Sequence, residues 1–217
     1  MKGINRAVIF DMDGVLVDNR DLHIEAFRIW GQRNGKSIDE HILLSMFGMG
    51  NIYILPKITG EKIAENDIER YGEEKEIIYR EIAERKIQPL PGLPEFLEGL
   101  RKRQIPMAVG SSGMRRNVNM VLSRLRIGGY FSAIVDGDQL SHAKPNPEVY
   151  LKCAAALGMK PENCIVCEDA PAGIEAARRA GMKVIAIAST LPKEKHTDYD
   201  ILVDDFRELS DIDGIII

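Results

Sequence analysis

The chain has 217 residues, of which 45% are hydrophobic, and this is enough to bury the core of one large domain or two modest ones. Its net charge is −4, with 29 basic and 33 acidic residues interspersed along the sequence. We therefore expect no dense positive surface of the kind that binds nucleic acid or an anionic membrane.

The first predicted element is a short apolar strand at residues 7–10, within the opening MKGINRAVIFDMDG. Acidic residues follow it too soon for the continuous apolar region of a signal peptide, and no later run is long enough for a membrane-spanning helix. We therefore expect a cytoplasmic protein with no membrane partner.

About seventy residues of almost purely helical character follow this strand. A crossover between parallel strands usually contains one helix, so a longer helical stretch favours an inserted domain. We predict an α-helical cap over residues 18–87, with Pro89 and Pro91 in a stiff linker back to the core. The predicted cap helices are the amphipathic segment 21–35, the short apolar segment 40–47 and the long charged segment 64–86.

From about residue 89 onward, short β-rich runs alternate with helical patterns. Their near-continuous apolarity is typical of strands that are covered on both faces. The alternation predicts an α/β fold with a doubly wound, mostly parallel sheet, built from residues 1–17 and 88–217. The predicted strands are 105–110, 131–136, 164–167, 183–188 and 200–204, and the predicted helices are 92–103, 114–125, 147–158 and 171–181.

The three cysteines are too few, and odd in number, for a disulfide framework. Cys164 and Cys167 have CxxC spacing, but strand positions three apart face opposite sides of a sheet. We interpret them as core residues rather than a redox or zinc pair. The terminal IDGIII, residues 212–217, fits either an edge strand or a contact surface. The even charge and modest size favour a monomer.

Polar residues follow four of the predicted strands, at the sheet edge where open parallel sheets bind ligands. Clustered carboxylates there would repel one another by several kcal/mol at an effective dielectric constant of ~20, which predicts a bound cation. Oxygen ligands favour Mg²⁺, an ion that often shares a phosphate oxygen, so a small phosphorylated substrate is expected. The polar groups are Asp11 with Asp13, Ser111 with Ser112, Lys144, and Glu168 with Asp169.

These residue types suggest roles in phosphoryl transfer. Asp11 is a candidate nucleophile that would form an aspartyl-phosphate. Asp13 is placed to protonate the leaving oxygen and then to deprotonate water, a role that requires partial desolvation because an ordinary aspartate titrates near pH ~3.9. Ser111 would hold phosphate oxygens, and Lys144 would neutralise charge. Singly, each residue also fits a turn, cap, loop or surface role, whereas the combination favours a site.

Four segments resemble, in order, the signature motifs of the haloacid dehalogenase-like superfamily: FDMDGVL, VGSSG, AKPNPEVY and CEDAPAGIEAARRAGM. The helical insertion is similar to the cap of its β-phosphoglucomutase-like branch. The resemblance implies phosphoryl chemistry, because the haloalkanoic dehalogenases lack the two-aspartate opening. It implies Asp11 as nucleophile, Asp13 as general acid/base, Ser111 as phosphate ligand, Lys144 as the family's lysine, and Mg²⁺ held by Asp11, Asp169, neighbouring Glu168 and the Asp13 backbone carbonyl.

Two cap residues are candidates for substrate binding. His23 shares an apolar helix face with Phe27, and Lys75 lies on an apolar stripe with Tyr79. The charge of Lys75 on an apolar stripe is costly unless the side chain faces a solvent-filled cleft. The alternatives are a packing histidine and a snorkelling lysine. Their positions resemble those of the histidine and lysine that β-phosphoglucomutases use between cap and core.

The resemblance leaves hydrolysis and mutase action as alternatives. Asn51 stands where the mutases have a cap arginine for the second phosphate, and a neutral amide replaces such a forked cation poorly. Gly113 and Arg115 stand where the mutases usually have Ser and Asn. Arg115, at a helix start beside the phosphate site, is the candidate to compensate. We therefore favour hydrolysis of a small phosphorylated metabolite, with a sugar phosphate as the expected substrate.

Two other classes are alternatives. A signalling receiver domain also binds Mg²⁺ through clustered aspartates, but it has its phosphorylated aspartate in mid-chain and has no helical cap. A non-catalytic sugar-phosphate-binding protein would have little reason to retain both Asp11 and Asp13. An EF-hand is excluded because DMDGVLVDN follows a strand and has apolar residues at ligand positions.

Overall fold

The structure is a computed structural model that describes residues 6–46, 49–60 and 62–209, so the terminal IDGIII segment lies outside the described residues. The strands are β1 Ala7–Phe10, β2 Met107–Gly110, β3 Ala133–Val135, β4 Cys164–Glu168, β5 Lys183–Ile187 and β6 Ile201–Val203. The α-helices are α1 Arg20–Arg33, α2 Glu40–Ser45, α3 Asn51–Ile58, α4 Glu65–Lys86, α5 Leu93–Lys102, α6 Arg115–Leu125, α7 Glu148–Ala156 and α8 Pro171–Arg179.

The six strands form one sheet in the order β3-β2-β1-β4-β5-β6, and every neighbouring pair is parallel. The prediction of a doubly wound parallel sheet is therefore confirmed. Chain order reverses at the central strand, because Ile9 of β1 pairs with Ala108 on one side and Val166 on the other. This reversal opens a crevice at the carboxyl ends of the strands, which is where doubly wound sheets bind ligands.

Side chains of β1 alternate between two hydrophobic layers. Ile9 packs in a layer with α7 and α8, and Phe10 packs in the opposite layer with α5 and α6. Cys164 and Cys167 lie in different layers, so the prediction that they face opposite sides of the sheet is confirmed. Burial raises the pKa of the Cys164 thiol to about 11. Both cysteines are structural core residues.

The outer strands are less covered than the prediction of strands buried on both faces requires. Ile134 of β3 is 37% exposed, whereas all residues of β1 and β4 are buried. The reason is position, because β3 and β6 lie at the edges of the sheet. Among the described residues, no helix combines the length and the apolarity that crossing a bilayer would require.

Helices α1 to α4 form the predicted helical insertion. Trp30 of α1 is fully buried and meets Tyr71 of α4 edge to face, with 5.1 Å between ring centroids. Helix α3 is not among the helices predicted from sequence, because Gly50 precedes it and Pro56 lies within it. Both residues weaken a helical pattern.

The insertion joins the sheet domain through two adjacent chain segments. The Asp18 N–H donates to the Gln88 carbonyl at 3.3 Å, and the Leu90 N–H donates to the Leu16 carbonyl at 3.4 Å. Both links to the cap therefore pass through one narrow connection. The domain boundaries at 17/18 and 87/88 stay a prediction, and the hydrogen-bonded pair of segments is consistent with a hinge there.

Candidate active site

The carboxyl ends of β1 and β4 place two carboxylates around one lysine. The Lys144 ammonium donates to Asp11 Oδ1 at 2.6 Å and to Glu168 Oε1 at 2.5 Å. All three side chains are buried. Burial alone would lower the pKa of Lys144, but the charges of Asp11 and Glu168 outweigh it and raise that pKa above its usual value. Lys144 is therefore an ammonium ion that fixes the Asp11 carboxylate.

Glu168 orients this arrangement through both of its oxygens. Oε1 accepts from Lys144 and from the Tyr150 hydroxyl, the latter at 2.8 Å. Oε2 accepts the backbone N–H groups of Asp169 and Ala170, each at 2.8 Å. A carboxylate has about four acceptor sites, so those of Glu168 are filled by protein donors. The donor set favours Asp169 over Glu168 as a direct metal ligand.

One carboxylate oxygen from each of Asp11, Glu168 and Asp169 lies within 4.8 Å of the others. Burial raises the pKa of Asp11 to about 7, with Lys144 opposing and Glu168 and Asp13 adding to the shift. Burial beside Glu168 and Asp11 raises the pKa of Asp169 well above its ordinary value. When all three carboxyl groups are ionised, they leave an excess of two negative charges over the single ammonium of Lys144. This set fits a hard divalent cation.

The loop after β1 turns sharply at Gly14, which has φ of 75°. A Cβ atom at Gly14 would overlap the Asp169 carboxylate, so glycine is required for both the conformation and the close approach. The Asp169 carboxylate also accepts from the Thr190 hydroxyl. These contacts hold the β1 loop against the end of β4.

The turn directs the Asp13 side chain towards the cap and away from the three-carboxylate cluster. Asp13 Oδ1 accepts from the Asn19 amide at 2.6 Å and lies 3.5 Å from His23 Nε2. Burial works to raise the pKa of Asp13, but His23 and the Asn19 hydrogen bond outweigh it and lower the pKa. Desolvation by itself does not prepare this residue to carry a proton.

The loop after β2 supplies hydroxyl groups at the same place. Ser111 is buried, and its Oγ accepts from the Gly113 N–H at 2.9 Å, which leaves its hydroxyl hydrogen free to donate. Ser112 Oγ is buried without a hydrogen-bond partner among the described residues. A Cβ atom on Gly113 would lie 3.9 Å from Asp13 Oδ2, so the two loops converge. An anion with several oxygens would satisfy these donors.

His23 and Lys75 meet at the cap side of the cavity. The Lys75 ammonium lies 2.9 Å from His23 Nδ1, and the His23 ring stacks on Tyr79 with 3.8 Å between centroids. Since an ammonium only donates, Nδ1 accepts and the ring proton lies on Nε2, which faces Asp13. The structure therefore brings both predicted cap residues to the site, in contact with each other.

Glu76 is a buried carboxylate beside this pair. Its Oε1 accepts from Lys75 at 2.7 Å and from the Asn51 amide at 2.8 Å, and its Oε2 accepts from Asn117 of α6 at 2.6 Å. Burial by itself would raise the pKa of Glu76, but Lys75, His23 and the hydrogen bonds outweigh it and lower that pKa to about 2. Arg80 donates to Asn117 Oδ1 at 2.9 Å. Cap and sheet domain are therefore joined by polar contacts through Asn117.

A cavity of about 230 Å³ lies between the cap and the carboxyl edge of the sheet. Its volume lies just below the range of about 300–1,000 Å³ that is usual for ligand pockets, which suits a small metabolite. Arg115 is not among its lining residues, because the Arg115 side chain is 54% exposed and pairs with Asp136 at 3.0 Å. The predicted site residues on its wall are Asp11, Asp13, His23, Asn51, Lys75, Ser111 and Ser112.

The sequence model of the haloacid dehalogenase-like hydrolase family matches residues 8–187. The chain belongs to the haloacid dehalogenase-like hydrolases. This match spans both the cap and the sheet domain of this hydrolase, so the resemblance drawn from the four motifs is confirmed. The prediction of a phosphatase of this superfamily is also confirmed by relatives.

A phosphorylated carbohydrates phosphatase of Thermotoga maritima is 35% identical over 183 residues, covering 82% of this chain and 83% of that protein. A β-phosphoglucomutase of Bacillus subtilis is 32% identical, covering 86% of this chain and 85% of that protein. The crystal structure of β-phosphoglucomutase from Clostridium difficile superposes with a TM-score of 0.85 at 29% identity, covering 97% of this chain and 95% of that one. The hydrolase thus resembles phosphatases and mutases alike.

Several site residues were not predicted from the sequence. Glu76 had a detectable signal, because it shares with Gly72, Lys75 and Tyr79 a helix stripe that proves buried. Asn117 also had a detectable signal, because it is a polar residue on the buried stripe of α6 with Val118 and Val121, but its role depends on how the cap docks. Tyr150, Thr190 and His196 had no detectable signal, because each acts through a contact distant in sequence, as in His196 Nε2 to the Asp169 carbonyl oxygen at 2.8 Å. Asn19 lies only six positions from Asp13, but no motif marked it.

Proposed function

We propose that this hydrolase removes the phosphate from a small phosphorylated metabolite, with a sugar phosphate as the expected substrate, through an aspartyl-phosphate on Asp11. One observation carries the proposal: Asp11 lies in a buried three-carboxylate cluster, against Lys144 and in the wall of the cavity between cap and sheet. A nucleophilic carboxylate needs such positioning and partial neutralisation to approach an anionic phosphate.

In the first step, a carboxylate oxygen of Asp11 forms a bond to phosphorus while the bond from phosphorus to the substrate oxygen breaks. Lys144 restrains Asp11 and offsets the charge that accumulates on the transferred group. Ser111 and Ser112 are the expected donors to phosphate oxygens, because one has an unused hydroxyl hydrogen and the other lacks a partner among the described residues.

Asp13 is the proposed general acid and base. It would give a proton to the leaving oxygen, and in the second step it would take a proton from the water that attacks phosphorus and releases Asp11. Asn19 and His23 favour its charged form before substrate binds. An adjacent phosphate would raise its proton affinity, because a nearby like charge disfavours ionisation.

Mg²⁺ is the proposed cofactor, with the side chains of Asp11 and Asp169 and the backbone carbonyl of Asp13 as the residues that would hold it. When bound, the ion would balance the excess charge of the cluster and neutralise a phosphate oxygen. Glu168 would act by orienting Lys144 and the start of α8. A Cβ on Gly173 of α8 would overlap the Glu168 carboxylate, so glycine permits this contact.

The test is release of phosphate from p-nitrophenyl phosphate, with and without Mg²⁺. We expect Mg²⁺-dependent turnover in the wild type, loss of turnover in Asp11→Asn, and retention in the matched control Asp205→Asn, since Asp205 pairs with Arg207 and does not line the cavity. Acid-quenched wild type should contain a phosphorylated tryptic peptide at Asp11. No turnover in the wild type would contradict the proposal and favour a non-catalytic binding protein.

Mutase action is the second candidate, because a β-phosphoglucomutase is among the relatives. Supplying β-glucose 1-phosphate with a trace of the bisphosphate separates the two activities. Hydrolysis predicts free phosphate and glucose. Dominant formation of glucose 6-phosphate would contradict the hydrolase assignment. We also expect the enzyme to be a cytoplasmic monomer that binds neither nucleic acid nor membrane, as its evenly mixed charges suggest.

A further inference from the structure

The cap end of the cavity contains one lysine, Lys75, whose positive charge is neutralised by a neighbouring carboxylate. The Lys75 ammonium is buried and lies 2.7 Å from a Glu76 carboxylate that is itself buried. Among the described residues that line the cavity, the cap contributes one other charged side chain, Glu69, which lies exposed at the rim. Glu76 therefore cancels the charge with which Lys75 could attract an anion.

The contacts of Glu76 hold its carboxylate in place beside Lys75. Asn51 and Asn117 donate to the two carboxylate oxygens at 2.8 and 2.6 Å, so the carboxylate is held from both the cap and the sheet domain. These neighbours favour the ionised form, as described above. The carboxylate cannot swing away from Lys75 without losing hydrogen bonds in a buried setting.

We propose that Glu76 determines the substrate class of this enzyme: a metabolite with one phosphate and an uncharged, hydroxyl-bearing remainder, because a second anionic group would meet no available positive charge at the cap end. This inference rests on the proposed function, since the phosphate is assigned to the Asp11 end of the cavity. Glu76, Asn51 and Lys75 can exchange hydrogen bonds with hydroxyl groups. A carboxylate or second phosphate would remain uncompensated beside Glu76.

Matched pairs of compounds test whether the site prefers a phosphate ester with an uncharged remainder. Sorbitol 6-phosphate and 6-phosphogluconate differ at one end by a CH₂OH group against a carboxylate, as do glycerol 3-phosphate and 3-phosphoglycerate. Competition against p-nitrophenyl phosphate gives an inhibition constant for each, whether or not it is turned over. We expect the neutral-ended member of at least one pair to bind about a hundredfold more tightly, because an anionic end would lose its hydration at the cap end without gaining an opposite charge that is not already cancelled.

Glu76→Gln keeps the size of the side chain and frees the charge of Lys75. We expect the preference within a pair to fall at least about tenfold in this variant, and to return in the double variant Lys75→Met, Glu76→Gln, in which both charges are absent. Glu81→Gln, in an exposed position of the same helix, is the control and should keep the wild-type ratio. A thermal melt of each variant verifies folding.

The outcomes separate the two proposals. Equal inhibition within both pairs by the wild type overturns the role of Glu76, even while p-nitrophenyl phosphate is hydrolysed and the phosphatase assignment stands. A folded Glu76→Gln protein with the wild-type preference also overturns it. Absence of any hydrolysis by the wild type contradicts the phosphatase assignment, and this inference with it. If Glu76→Gln does not fold, the ratio of the wild-type inhibition constants within each pair decides whether the proposal stands.

Discussion

Replacing Lys144 by Met should destabilise the metal-free protein strongly, because the ammonium lies 2.6 Å from Asp11 and 2.5 Å from Glu168 with all three groups buried. Removing one partner of a buried ion pair typically costs about 3–5 kcal/mol, since the remaining charge is left uncompensated. This cost cannot exceed the free energy of protonating the carboxylate that Lys144 leaves behind, because a protonated carboxyl group carries no charge. The first proton on an aspartate with an ordinary pKa of about 3.9 costs about 5 kcal/mol at pH 7.5 and about 2 kcal/mol at pH 5.5.

The assay is urea unfolding of wild type and Lys144→Met in EDTA at those two pH values, followed by the same titrations with Mg²⁺. We expect a deficit of about 3–5 kcal/mol at the higher pH, a smaller deficit at the lower pH, and partial recovery with Mg²⁺. Lys152→Met is the matched control, because Lys152 pairs with Glu148 at the surface and such pairs contribute little. A deficit under about 1 kcal/mol, or one independent of pH, would refute the reasoning.

The remaining predictions concern the same site. Because burial raises the pKa of Asp11 from 3.8 to about 7, the folded metal-free protein holds a proton that the unfolded chain has lost, so stability should fall by about 4 kcal/mol as pH rises from about 4 to 7. Mg²⁺ should therefore raise the melting temperature more at pH 8 than at pH 5.5, and an equal rise at both would count against this coupling. Asp13→Asn should lower kcat by about 10²–10⁴ while leaving stabilisation by Mg²⁺ intact; a loss of both would point to a structural role instead. Gly14→Ala should weaken Mg²⁺ binding measured by calorimetry, because its Cβ would displace the Asp169 carboxylate, and unaltered affinity would argue against that contact.

Much of the fold could be predicted because the signals are local. The apolar runs that became β1, β2, β4 and β5 are short and nearly continuous, and helices alternate with them from residue 89 onward. Such periodic patterns survive without knowledge of distant contacts. Helix α3 was missing from the prediction since Gly50 and Pro56 obscure its pattern, and packing against α4 compensates for them.

The sheet domain part of the site was also accessible from the sequence. Asp11, Lys144 and Asp169 follow strands that the parallel topology brings to one edge, so their meeting required only the fold class and the position of each strand end. The role expected of Arg115 depended on which way an exposed side chain turns. In the structure, the Arg115 side chain instead forms an ion pair with Asp136.

The sequence by itself determined the parallel sheet, the helical insertion and the acidic cluster, because hydrophobic period and strand ends are properties of short segments. Only the tertiary structure decided how the cap meets the sheet: that Glu76 neutralises Lys75, that Asn117 connects α6 to α4, and that His23 faces Asp13. The longest of these contacts joins residues 41 positions apart, and their geometry depends on how the cap docks on the sheet domain. No local pattern encodes that docking.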